Sequence, residues 1–372
     1  MNNEGMMNRN CIFHIPWKLD DKLIVASDIR PIKICNALKA IGYNVEIIWG
    51  RSKERRKHIN RIKLLVKNGM KFDFMYSESS TLPTLLTEPH HFPTSPCLDF
   101  SFFRFCKKNK ISIGLFYRDI HWNSNDIDRF RGLKFYYTKF FHLYDILFYN
   151  KLLDIIYFPS IKMREKVSLL KRNIQYKNLM PGGDNITSAL NNSNDFLYVG
   201  GIKPHIYDVS KMLEAFKKSG AKLKFCCRLN EWNEYSEYYK EFLSDNIEVI
   251  HLNADDIKET YQKVSYTIMF YEPKEYRKFA IPFKLFEYIS YEKPIIASRN
   301  TAASGFIEEN KIGYSLKYDD SSLKEFLNQL PSKDEYKEIV INLKKVKSDN
   351  TWEKRAEKIA QELSDCDYNE EK

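Results

Sequence analysis

No two of the seven cysteines in this 372-residue chain form a Cys-x-x-Cys pair, and full pairing would leave one over. That excludes a disulfide framework or a cysteine zinc site as the organising device, and fits a reduced compartment. The N-terminus, MNNEGMMNRNCIFHIPW, has no basic leader, no long apolar core and no small-residue cleavage site, so a cytoplasmic location is expected. Apolar runs of membrane-spanning length are also missing. The most apolar long window, FFHLYDILFYNKLLDIIYF (140–158), is broken by Asp145, Lys151 and Asp154. No short-period repeat suggests a solenoid. No helix-turn-helix, zinc or aromatic recognition motif supports a nucleic-acid partner.

What is present reads as globular. A hydrophobic fraction of 43% with 29% charged residues fits a folded chain, and the length fits two domains. The 59 Lys and Arg exceed the 49 Asp and Glu by ten. This excess suits an anionic partner: nucleic acid, an acidic membrane surface or phosphorylated small molecules.

Short apolar runs alternate with amphipathic segments. CIFHI, NVEIIWG, FDFMYSE, ISIGLFYRD and IIYFPS read as strands, with IKICNALKAIG, RRKHINRIKLLVKNG and SFFRFCKKNK as helices among them. The aperiodic, Pro-, Gly- and Asn-rich stretch QYKNLMPGGDNITSALNNSND reads as a linker. The pattern then restarts with FLYVGG, LKFCCR, IEVIHL, YTIMFY, PIIAS and GYSLKY as strands, and TWEKRAEKIAQEL closes the chain as a separate helix. Strict alternation predicts an α/β fold of two doubly wound parallel sheets, bounded as 1–175, a linker 176–194, 195–348, and a final helix within 349–372. Ligands of such sheets bind beyond the carboxyl ends of the strands.

Several loops there hold unusual chemistry. In FAIPFKLFEYISYEKPIIAS (279–298), Pro282 suits the first helical position, and Lys284 and Glu287 share one face of the helix. They form either a surface ion pair or a site where the helix N-terminus and Lys284 meet a diphosphate and Glu287 holds the vicinal hydroxyls of a ribose. GGIKPH supplies Gly200, Gly201 and Lys203, as either a phosphate cradle or a tight turn. Arg228, just after LKFCC, can grip phosphate oxygens bidentately. In YRDIHW, Arg118, Asp119 and His121 stand at a strand's end, either to meet a sugar or acceptor hydroxyl or as a buried ion pair with a capping histidine. Ser27 and Arg30, where the first helix begins, and Glu78 after the third strand are candidates on the acceptor side. Across 129–172, Phe and Tyr interleave with Arg and Lys, either as core and solvated cations or as a face for an anionic bilayer.

PFKLFEYISYEKPIIAS resembles the P-S-K-L-F-E-Y-L-A-x-G-K-P-V-I-A-S segment of GT-B glycosyltransferases, in particular family-4-like enzymes of bacterial surface polysaccharide assembly. The likeness continues through Ile307-Glu308-Glu309, Ile312-Gly313-Tyr314 and Tyr198-Val199-Gly200-Gly201. It implies two Rossmann-like domains facing across a cleft and a last helix that crosses back to the first domain. It also implies a nucleoside diphosphate sugar as donor, with Glu287 on the ribose and Lys203, Arg228 and Lys284 on the diphosphate. Asp119 and His121 would lie near the transferred sugar, and Ser27, Arg30, Glu78 and Arg118 on the acceptor side. With no Asp-x-Asp motif in these loops, fixed cations replace a divalent ion, so no metal or other cofactor is expected. The implied reaction is retaining transfer to a polyprenyl-diphosphate-linked or oligosaccharide acceptor at the cytoplasmic face of a membrane. One position departs from the pattern. Similar enzymes carry a second glutamate eight residues before the ribose-binding one, where this chain has Phe279. That leaves sugar selection unassigned and admits an alternative, a non-catalytic GT-B subunit that stabilises a partner transferase.

Overall fold

The computed structural model describes residues 9–19, 26–120, 122, 132–167, 169–171, 174–188 and 193–366, without the side chains of 26 and 27. The chain divides into two compact units, Met1–Pro181 with Trp352–Lys372, and Gly182–Thr351.

The first unit is built on six strands: β1 (Asn10–His14), β2 (Asn44–Ile48), β3 (Phe74–Glu78), β4 (Ser112–Phe116), β5 (Ile155–Phe158) and β6 (Gln175–Asn178). They run parallel in the order β2-β1-β3-β4-β5-β6. β1, β3, β4 and β5 are buried along their whole length, which explains their near-continuous apolar sequences. The QYKN segment, read as the start of a linker, pairs with β5 as the edge strand β6. Its polar residues are tolerated because one side of an edge strand stays open to water. The helices are α1 (Ala26–Ala40), α2 (Ser52–Lys67), α3 (Leu98–Lys108), α4 (Leu133–Leu152), the short α5 (Ile161–Arg164) and, from the chain's end, α13 (Trp352–Ser364).

α13 buries Trp352, Ala356, Ile359, Ala360 and Leu363 against α1, β3 and β4. Gly114 in β4 makes this approach possible. A Cβ there would stand 2.9 Å from both methyl carbons of Leu363. Arg355 of the same helix anchors its start by donating from Nε to the Pro181 carbonyl at 3.2 Å.

The second unit repeats the scheme with β7 (Phe196–Val199), β8 (Leu223–Cys226), β9 (Ile247–Ile250), β10 (Tyr266–Met269), β11 (Ile295–Ser298) and β12 (Gly313–Leu316). These are parallel in the order β12-β11-β10-β7-β8-β9. Its helices are α6 (Ser210–Ser219), α7 (Leu229–Tyr239), α8 (Ile257–Lys263), α9 (Phe283–Ser290), α10 (Ala302–Asn310), α11 (Asp320–Asn328) and α12 (Lys333–Asp349). Three of them had no counterpart in the sequence reading, one being α10 between PIIAS and GYSLKY. α7 lies between LKFCC and IEVIHL, and α12, opened by a Ser332–Glu335 capping box, precedes the last helix.

Strand order reverses between β1 and β3 in the first unit and between β7 and β10 in the second. At such a switch point neighbouring loops diverge and leave a crevice at the carboxyl edge. Among the described residues no helix is long and apolar enough to cross a membrane.

Candidate functional sites at the two carboxyl edges

In the second unit the carboxyl ends of β7, β8 and β10 bring together the loops 200–209, 227–228 and 270–282, with α9 following. Pro282 occupies the capping position, one residue before the helix, with extended backbone (φ −77°, ψ 144°). Lys284 and Glu287 then lie one turn apart, and the Lys284 Nζ donates to Glu287 Oε2 at 2.6 Å. The other carboxylate oxygen accepts from Tyr261 Oη at 2.9 Å. Burial, and then the Glu287 charge, push the Tyr261 phenol well above its usual range, so it remains a donor. Each carboxylate oxygen has a second lone pair to offer, and the Glu287 side chain is 22% exposed. α9 is tied to the strand ends by Tyr288, whose hydroxyl accepts from the Val199 N–H at 3.0 Å.

The glycine turn after β7 is held from two sides. Tyr198 Oη donates to the Gly201 carbonyl at 2.6 Å, and buried Glu231 of α7 accepts from the Ile202 N–H at 2.9 Å. The Gly200 N–H is spent on the Cys226 carbonyl. Among the described residues, that leaves the Gly201 and Lys203 N–H groups of this turn without a partner. Neither glycine is needed for its backbone angles; both are needed for space. A Cβ on Gly200 would lie 2.7 Å from Tyr198 Oη, and one on Gly201 would lie 3.1 Å from the Tyr207 ring and 3.3 Å from Glu231 Oε2. The second oxygen of Glu231 accepts from Arg228 Nη1 at 2.6 Å, leaving the Arg228 side chain 56% exposed. Glu231 thus joins the glycine turn, through Ile202, and Arg228 into one arrangement. Lys203 is half-exposed on the same loop.

Arg277, in the loop after β10, was not nominated from the sequence. It donates to the Ile206 carbonyl and lies over the rings of Tyr207 and Tyr271, 4.5 and 4.0 Å from their centroids. With Lys274 Nζ on the His205 carbonyl at 2.5 Å, it pins the 200–209 loop to the 270–282 loop. Its signal was available as a cation after a strand, but an arginine on carbonyls and rings cannot be told in sequence from one on a ligand. Phe279 is buried against Tyr276, with ring centroids 5.2 Å apart. Burial raises the Cys226 thiol and pushes Cys227 up to about 12, so both remain uncharged at neutral pH.

In the first unit the β1/β3 switch point gathers Arg30, Glu78 and Arg118. Glu78, at the end of β3 and fully buried, accepts from Arg30 Nη1 through Oε1 and from Arg118 Nη2 through Oε2 at 3.2 Å. Tyr76 Oη also donates to Oε1, at 3.1 Å. Arg30 lies on the Phe116 ring at 3.4 Å and Arg118 over Trp17 at 4.9 Å. The Nε of each arginine and Nη2 of Arg30 are buried without a hydrogen-bond partner. Asp119 stands beside this cluster and accepts from Thr81 Oγ1 at 2.9 Å. Ser27 lies on α1 one turn before Arg30. His121 lies outside the described residues.

A second polar set at β1/β3 had no sequence signal. His14 Nδ1 meets Ser77 Oγ at 2.8 Å and Nε2 meets Asp99 at 3.0 Å, while Arg55 clamps the same carboxylate at 2.9 and 3.0 Å. Burial raises the Asp99 pKa, but the His14 bond and the Arg55 charge outweigh it and hold the carboxyl below its usual value. The histidine, serine and aspartate are each at most 2% exposed, so the set braces α2 and α3 on the sheet and reaches no ligand.

The sequence does hold Asp-x-Asp triplets at 126–128 and 365–367, which fall wholly or partly outside the described residues. Among the described residues no group of three or more His, Cys, Asp or Glu is placed to hold a metal ion.

With this geometry in view, the comparisons with known proteins agree on the fold. Residues 252–360 match the family model described as "Glucosyltransferase 3-like, C-terminal domain". Sucrose-phosphate synthase from Thermosynechococcus elongatus superposes with a TM-score of 0.65 at 12% identity, covering 95% of this chain and 98% of that one. Anabaena HepE, solved in complex with UDP and glucose, gives 0.62 at 12% identity over 96% and 100% of the two chains. WaaG, a glycosyltransferase involved in lipopolysaccharide biosynthesis, gives 0.61 at 12% over 95% and 100%. No curated protein matched by sequence. The fold is GT-B, two six-stranded parallel sheets each covered by helices.

Proposed function

We propose that this protein is a glycosyltransferase that takes its sugar from a nucleoside diphosphate sugar, with a uridine nucleotide the first candidate. The observation that carries the reading is Glu287. Its carboxylate is fixed by Tyr261 and Lys284 and still offers lone pairs at the carboxyl edge of the β7/β10 switch point. Two hydroxyls of a ribose match those lone pairs, and charge-assisted bonds of this kind are about twice as strong as neutral ones. The family match over 252–360 supports a glucosyltransferase-like donor domain, and HepE, of the same fold, has been solved with UDP and glucose.

In this reading the Gly201 N–H, Lys203 and Arg228 receive the diphosphate, and Lys284 joins them on leaving Glu287. Their charge stabilises the departing nucleotide, so the site works without a metal. The bond from the anomeric carbon to the β-phosphate oxygen breaks while the acceptor hydroxyl forms a new bond on the same face. The acceptor proton passes to the departing phosphate, giving retention of configuration. Asp119 and His121 orient the sugar and acceptor hydroxyls, and Arg30, Ser27, Glu78 and Arg118 shape the acceptor side. The acceptor we favour is a lipid-linked glycan of a cell-surface polysaccharide, handled at the cytoplasmic face of the membrane.

A second reading rests on Phe279, an apolar side chain where similar enzymes carry a carboxylate: a GT-B subunit that binds the donor or a partner transferase without turnover. The test is release of UDP from UDP-glucose and related UDP-sugars, with EDTA present, against an oligosaccharide or polyprenyl-diphosphate glycan. Turnover with one sugar supports transfer. Nucleotide binding without turnover of any donor favours the subunit.

A further inference from the structure

Helices α2, α3 and α4 lie side by side in one layer on the first unit, α3 touching both of its neighbours. Together they carry thirteen Lys and Arg against three Asp and Glu. That surplus equals the net charge of the whole chain, +10, so the remainder of the molecule balances. Of the three acids, Asp99 and Asp145 are buried; only Glu54 is exposed, and its carboxylate caps the start of α2 by accepting from the Arg51 N–H at 2.7 Å. Arg55 is buried on Asp99, and Arg61 and Lys107 pair with Glu46 and Asp154, but Lys53, Arg56, Lys57, Lys67, Arg104 and Lys108 stand exposed on the outer side of α2 and α3.

α4 adds the opposite of what a surface helix presents. Its inward face holds Thr138, His142 and Asp145 among its buried residues. Leu133, Tyr136, Tyr137, Phe140 and Leu147 face outward and are 89, 69, 41, 62 and 61% exposed. Their spacing of three, four and seven residues sets them on one stripe of a helix about 30 Å long. Lys134 and Lys151 stand at its ends.

We propose that this layer is a docking surface for an anionic lipid bilayer, with the α4 stripe entering the headgroup boundary and the α2–α3 cations meeting lipid phosphates. Both parts of the surface match that occupant: anionic headgroups neutralise the cations, and the acyl boundary accepts exposed leucine and aromatic side chains. A folded nucleic acid would use the cations and leave the stripe in water. A second copy of the chain would cover the stripe and set cations against cations. The proposal rests on the transferase reading only for what the membrane would present, and the two fail separately because nucleotide binding is measured on the same sample.

The full chain is sedimented with vesicles of phosphatidylglycerol and phosphatidylcholine, and with phosphatidylcholine alone. Binding to the anionic vesicles, falling at least tenfold at high salt and weak on neutral ones, is expected. Tyr136→Ser with Phe140→Ser should weaken it about tenfold, as should Lys53→Glu, Lys57→Glu and Lys108→Glu together, with UDP affinity and the melting curve unchanged. Equal binding to both vesicle types, or none to either, overturns the proposal. So does self-association that Phe140→Ser abolishes, or binding to RNA without binding to anionic vesicles.

Discussion

The two carboxyl edges are furnished with the same side chains, arginine, lysine and glutamate, and hold them in opposite ways. In the second unit the pairs are local and part-exposed: Arg228 with Glu231 and Lys284 with Glu287, each three residues apart. In the first unit the pairs are distant and buried, with Glu78 joined to Arg30 across 48 residues and to Arg118 across 40. The first arrangement leaves charges free to change partner when a ligand arrives. The second commits them to the fold, because a buried charge without its counter-ion is costly. On the proposed function, nucleotide recognition falls to the second unit, and the charged cluster of the first braces the acceptor side with spare N–H groups.

The largest effect expected to test this contrast is in the first unit. Glu78→Ala leaves two buried guanidinium groups unpaired and should lower stability by about 3–5 kcal/mol in urea unfolding. A loss below about 1 kcal/mol would mean that the cluster is as loosely held as its counterpart.

A second break point lies under α4. Burial pushes the Asp145 carboxyl up to about 7, against the opposing bond from the Thr84 N–H, and burial lowers His142 to about 3. A carboxyl whose folded pKa lies above the unfolded 3.8 loses stability as pH rises toward 7. A histidine whose folded pKa lies below the unfolded 6.5 loses it as pH falls from there. Between about pH 4 and 6.5 the two slopes oppose and nearly cancel. Asp145→Asn should unmask falling stability toward acid, and His142→Phe the reverse, each at up to about 1.4 kcal/mol per pH unit. Thermal melts of the two variants across that window check the signs.

In the second unit, Tyr261→Phe removes one donor from Glu287 while Lys284 still holds it, and should weaken nucleotide binding about five- to tenfold, the net worth of one ordinary hydrogen bond. The smallest effect is expected for Arg228→Ala. As an exposed pair it should change stability by less than about 1 kcal/mol while still weakening diphosphate binding. A large stability loss there would erase the contrast.

The same difference decides what could be read from the sequence. Two parallel sheets were legible because central strands such as IIYF and IIAS are short apolar runs buried on both faces. The Lys284–Glu287 pair was legible because a helical turn brings it together. β6 was not, since QYKN has the polarity of a loop and becomes a strand only by pairing with β5. α7 was passed over because LNEWNEYSEYY buries little beyond Glu231 and Tyr239. Tyr261, Glu231 and Arg277 act through partners 26 to 71 residues away. Nothing in a single sequence ties such pairs together. In the first unit the residue types at the strand ends were evident, but not that Glu78 would hold two arginines at once.

The central claim is that Glu287 is the ribose-holding group of a nucleotide site. Calorimetric titration of UDP into the intact chain and into Glu287→Ala, both with EDTA, tests it most directly. The account predicts measurable binding by the parent chain and a loss of tenfold or more in the variant, with its melting temperature within a few degrees. Equal affinity in the two proteins, or no binding of any nucleoside diphosphate by a folded parent chain, would contradict it.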